Sequence, residues 1–186
     1  MTTLALIKNN TMKKLITTLA VICSSLAFSQ NSTTLKSNDI VINPVALVLG
    51  AVNVEYERII SENSGIGVTT SFLLDDYIID DNNGFSITPY YNYYFGKKRA
   101  NGFYIGGYCS INSGDVEKSY YVSSQYGGYT MYTTEKETNF GVGFKFGGKW
   151  VVKNDIVLEI GTGLGRNFGG ENKVNTTGML GIGKRF

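Results

Sequence analysis

Five charged side chains lie within alternating stretches of this chain and share the face that otherwise carries small or polar residues. Glu55 and Glu57 are two residues apart, Lys145 stands between Gly143 and Gly147, Glu159 lies between Leu158 and Ile160, and Arg185 is the penultimate residue. Side chains at i and i+2 share a face of a β-strand. If that face is interior, the charges need one another, because a buried charge without a partner is costly. The expected arrangement is a hydrogen-bonded ionic cluster of Glu57, Lys145, Glu159 and Arg185, with Glu55 one layer deeper. Its plain role is structural filling; its sharper alternative is a gate or proton path.

Other chemistry is poorly supplied. The 186 residues contain no His, so general acid–base or triad mechanisms that use imidazole have no base, and no Cys/His metal cluster exists. The run Gly161-Thr162-Gly163-Leu164-Gly165 looks like a phosphate loop. It lacks the Lys-Ser/Thr pair and a following helix, and it alternates as a strand. The acidic stretch from Asp75 to Asn83 does not have EF-hand spacing and reads as a solvated loop. No catalytic, cofactor-binding or metal-binding residue is assigned. A second set, Tyr120, Tyr121, Tyr126, Tyr129 and Tyr132, lies among Ser and Gly in the longest connection, 114–137. Tyr among small polar residues suits a contact surface, since it offers large area at low entropy cost. An ordinary hairpin extension is the plainer reading.

The elements that must position these residues are strands. After residue 39 the chain shows segments of about ten residues with alternating hydrophobicity, separated by Gly/Asn/Asp stretches. The strands are expected at 39–49, 51–60, 66–74, 85–95, 102–113, 138–147, 155–165 and 177–186. The first contains Pro44 and is apolar on both faces, which makes it the weakest. A break near Gly50 is required to keep the count even. The only Trp, Trp150, falls in an expected turn at 148–154.

Composition agrees with strands. Gly (23) and Tyr (13) are abundant, Pro (2) is scarce, and only 17% of residues are charged, low for a water-facing surface. Met12-Lys13-Lys14, a short apolar run and Ala27-Phe28-Ser29 read as an upstream extension plus signal peptide over 1–29, cleaved before Gln30. Residues 30–38 are a polar lead-in and 39–186 the folded domain. Cys23 leaves with the leader, so Cys109 has no disulfide partner. Without Lys8, Lys13 and Lys14, fourteen basic residues face fifteen acidic ones, a charge of −1. No basic stripe points to nucleic acid.

The closing segment Thr177–Phe186 alternates Leu180, Ile182 and Phe186 against Met179, Gly181, Gly183 and Arg185, and ends flush on an aromatic residue. With the signal peptide, the strand alternation and the asymmetry of connection lengths, it resembles the small eight-stranded OmpX/OmpA-like outer-membrane barrels over residues 39–186. Lys184 departs from the pattern, standing where closing strands often carry an apolar residue. The resemblance implies a closed antiparallel eight-stranded up-and-down transmembrane β-barrel in the cell outer membrane. It further implies partners in outer-membrane lipid and, during insertion, the barrel-assembly machinery, with Phe186 as the closing-strand terminus. An external macromolecule bound through the loops is a further expectation. On this threading Glu57, Lys145, Glu159 and Arg185 fall in the periplasmic half. Two alternatives remain at this point: a small pore, and a soluble secreted calyx with an apolar ligand, which would turn the apolar faces inward.

Overall fold

The computed structural model describes residues 35–73, 84–124, 127–170 and 172–186. The leader, the acidic stretch 74–83 and Tyr126 lie outside these residues. Residues 36–185 form one compact unit. Its strands are β1 (Asn38–Ile42), β2 (Ala51–Ile59), β3 (Ser64–Leu73), β4 (Phe85–Tyr94), β5 (Gly102–Ser124), β6 (Gly127–Val151), β7 (Ile156–Phe168) and β8 (Val174–Arg185). Each pairs antiparallel with the next, and β1 pairs with β8 from Asp39↔Arg185 to Ile42↔Ile182, closing the barrel. This is the fold class expected from the sequence.

Four local readings differ. The expected first strand, 39–49, is five residues of β1 followed by a short helix, α1 (Pro44–Val48). Asn43 Oδ1 accepts from the Ala46 amide at 3.1 Å and Pro44 opens the helix, a capped start that alternation cannot reveal. Gly50, at φ 87°, then turns the chain into β2, so the break near Gly50 is present. The expected long loop 114–137 is not a loop: β5 and β6 keep one register from Gly102↔Lys149 to Ser124↔Gly127. The expected turn at 148–154 is shorter, because β6 runs through Trp150 to Val151 before a single 3-10 turn at Lys153–Asp155. The closing strand starts earlier, at Val174, and its last residue is Arg185, with Phe186 following it.

Short connections, 60–63, 95–101 and 152–155, lie at the end where β1 begins and β8 finishes, here called the lower end. The β5–β6 hairpin rises from the upper end. Between them the wall is inverted relative to a water-soluble protein. Ile66, Ile105, Phe144, Leu164 and Leu180 point outward with 46–74% of their surface exposed, whereas Asp39, Glu55, Glu57 and Lys149 are fully buried inside. Large rings fill the bore where glycines leave room. A Cβ on Gly143 would stand 2.6 Å from the Tyr108 ring, and one on Gly147 2.8 Å from the Tyr104 hydroxyl.

Candidate functional site

The lower half of the bore is built around Lys149, an inward position of β6 four residues beyond Lys145. Its ammonium lies 2.9 Å from Glu159 on β7, 3.4 Å from Glu55 on β2 and 3.8 Å from Asp39 on β1, and pairs with Glu57 on β2. Lys145 reaches Glu55 at 3.3 Å and sits 3.7 Å above the centre of the Tyr90 ring. Hydroxyls complete the set. Tyr94 donates to both Glu57 oxygens at 2.8 and 2.7 Å, Tyr104 to Glu159 at 2.9 Å, and Thr69 to Glu55 at 3.0 Å. Hydrogen-bonded charge pairs of this kind satisfy groups that burial would otherwise penalise.

Arg185 occupies the floor of this cluster. Its guanidinium grips Asp39 with two bonds of 2.7 and 2.8 Å and donates to the carbonyls of Arg99 and Ala100 at 2.8 and 2.9 Å. It thereby fastens the 96–101 turn across the lower mouth, where Ala100 is fully buried against Ile59, Tyr94 and Tyr104. Arg185 meets the Lys149 group through Asp39. The interior therefore assembles Glu55, Glu57, Lys145, Glu159 and Arg185 together with two residues outside the expected set, Asp39 and Lys149. Lys149 shares the parity of Lys145, and that i+4 spacing was the signal available for it. Asp39 becomes visible only through the β1–β8 register.

Above this layer the filling is neutral. Tyr108 donates to Asn175 at 2.8 Å, and Asn175 donates to Ser110 at 2.9 Å and Asn167 at 2.8 Å. A polar cavity of about 220 Å3, lined by residues including Asn53, Ser71, Thr88, Asn112 and Thr177, occupies the upper bore. Among the described residues no group of three acidic, Cys or His side chains is arranged to hold a metal ion. The carboxylates of the lower layer are engaged by ammonium, guanidinium and hydroxyl groups, so the arrangement locks the bore.

The hairpin is the second expected site. Pairing to β4 stops at Phe85↔Ser113 and pairing to β7 at Phe140↔Phe168, so among the described residues 114–124 and 127–137 pair only with each other. The eleven-residue rise, at about 3.4 Å per residue, carries the hairpin roughly 35 Å above the sheet. Tyr120, Tyr121, Tyr129 and Tyr132 are all exposed on it. Tyr120 faces Met131 and Val122 faces Tyr129 on the bore side, while Tyr121 and Tyr132 stand on the opposite face. Lys118 and Glu135 pair at 2.7 Å across the ribbon; that contact holds the Lys118 ammonium above, and the Glu135 carboxyl below, their ordinary values.

Together these features define a small eight-stranded barrel of the inside-out kind, with a filled ionic core and one projecting hairpin. The chain belongs to the family described as "Protein of unknown function (DUF3575)", whose model matches residues 8–178. No curated protein matches the sequence. Among solved structures it is similar to the N-terminal β-barrel domain of Pseudomonas aeruginosa OprF, with 12% identity, 81% of this chain and 98% of that chain covered, and a TM-score of 0.48. It is also similar to the Yersinia pestis outer membrane protein Ail in a phospholipid bilayer nanodisc, with 14% identity, 82% and 100% coverage and a TM-score of 0.45.

Proposed function

We propose that this protein is a non-enzymatic integral outer-membrane barrel that presents the β5–β6 hairpin outside the cell to an external macromolecule. The inverted wall carries the reading. Leaving a large apolar side chain in water forfeits about 1.5–3 kcal/mol of burial free energy, and an exterior band that includes Phe144 and Leu164 makes that loss repeatedly unless lipid surrounds it. A closed barrel also leaves no sheet edge unpaired in the hydrocarbon. A soluble calyx would need the opposite partition. Short turns at the lower end support assigning that end to the periplasm and the hairpin to the outside. The ionic layer and the Arg185-fastened turn fill the bore, which argues against a pore; planar bilayers should show no discrete conductance steps.

The test is membrane fractionation with a gel run before and after boiling. Retention in the outer-membrane fraction with a mobility shift supports the barrel; a soluble protein with no shift overturns it. For the hairpin, deleting residues 118–134 should abolish surface binding while the heat shift persists. Unchanged binding refutes the hairpin's role.

A further inference from the structure

Glycines leave gaps in the side chains of the outer wall, at Gly107, Gly148 and Gly178 among the described residues. Gly148 on β6 points outward, and its ladder neighbours are Phe103 on β5 and Ile160 on β7. Beside it a groove of about 480 Å3 opens over the backbone of Gly147, Gly148 and Gly161, walled by Phe95, Phe103, Phe146 and Ile160. That volume lies in the range of about 300–1,000 Å3 typical of ligand sites. The Trp150 ring takes the space a Gly148 side chain would fill and meets Phe103 edge-on, centroids 5.9 Å apart. The lining is almost wholly apolar.

The groove is joined to a basic turn. Phe95 and Phe103 are linked by a backbone hydrogen bond of 2.8 Å, and the chain between them carries Lys97, Lys98 and Arg99. Arg99 is engaged by Glu62 at 3.6 Å and by Ser37 at 3.1 Å. Lys97 and Lys98 are exposed and enter no ion pair among the described residues. An apolar trough continuous with a turn that carries two uncommitted lysines, at the lower end of the wall, has the polarity of an amphiphile with an anionic head.

We propose that this groove binds one anionic phospholipid of the periplasmic leaflet, its acyl chain over the three glycines and its phosphate on Lys97 and Lys98. The inference rests on the reading that the barrel spans a membrane. Basic groups at a membrane boundary attract anionic headgroups; the glycine-floored trough adds a shape that a smooth wall lacks, and so converts a general attraction into a site.

The full mature chain, placed in nanodiscs of mixed phosphatidylglycerol and phosphatidylethanolamine and released into mild detergent, tests this by native mass spectrometry. One phosphatidylglycerol should remain per barrel in preference to phosphatidylethanolamine. The pair Lys97→Gln and Lys98→Gln should reduce that preference about thirtyfold, on the order of fivefold for each lysine. Thr162→Phe, which fills the trough from its β7 side, should remove the retained lipid while both lysines remain. The heat shift on gels reports folding of every variant. Equal retention of the two lipids by the folded wild type, unchanged retention in both folded variants, or a dimer that buries the groove each overturns the site while leaving the membrane reading intact. Failure of the wild type to enter the nanodisc overturns both.

Discussion

Replacing Lys149 by Met removes a cation that touches four buried carboxylates, at nearly constant volume. In the wild type Asp39, Glu55, Glu57 and Glu159 face Lys145, Lys149 and Arg185, four negative groups against three positive ones. Lys149→Met leaves four against two, with the nearest remaining ammonium, that of Lys145, in contact with Glu55 only. Breaking a buried pair by removing one partner costs about 3–5 kcal/mol. At a urea slope of about 2 kcal/mol/M this lowers the unfolding midpoint by roughly 2 M. The assay is urea unfolding in lipid vesicles, followed by Trp150 emission and by the heat-shifted band. Lys145→Met is the internal control. It gives up one carboxylate contact and a ring contact, so its cost should be smaller, about 1–3 kcal/mol. Adding Glu159→Gln to Lys149→Met restores the original imbalance of one, and Gln can still accept from Tyr104. The double variant should recover about 1 kcal/mol or more. A cost below about 1 kcal/mol for Lys149→Met, or strict additivity in the double variant, would refute the claim that Lys149 organises the interior.

Arg185→Lys keeps the charge and loses the two-point grip on Asp39. Destabilisation by about 1.5–3 kcal/mol and faster amide exchange at Ala100 should follow, and unchanged exchange would count against the fastening of the turn. Gly143→Val drives a side chain into the Tyr108 ring, and an overpacked bore should cost about 1–3 kcal/mol in the same unfolding assay. Cys109 is free and faces outward from the part of β5 that pairs with both neighbouring strands. In vesicles it should resist a charged, membrane-impermeant maleimide and react fully after unfolding; rapid labelling of the folded protein would put that face in water.

Much of the fold is legible because one physical rule governs it. A strand with lipid on one side and a packed bore on the other must alternate, so the parity of Tyr90, Tyr104 and Tyr108 and of the inward charges can be read directly. Alternation fails where that two-sided environment fails. The hairpin above the barrel has no buried face, so residues 114–137 carry no period and read as a loop. Beside Pro44, apolar residues on both faces mark a capped helical turn, not a strand. Gly147-Gly148 looks like a turn and hides the continuation of β6, and with it Lys149. The Asp39–Arg185 grip joins β1 to β8 across the closing seam, a register that no local pattern encodes.

The most direct measurement uses the only Trp of the chain. Trp150 points outward near the lower end of β6 and is 38% exposed. Refolded into vesicles whose acyl chains carry bromine, the wild-type protein should lose much of its Trp150 emission. Bromines near the headgroup end should quench most strongly, and aqueous acrylamide should have little effect. Emission that ignores the bromines and is quenched by acrylamide would contradict the central claim that the apolar exterior faces lipid.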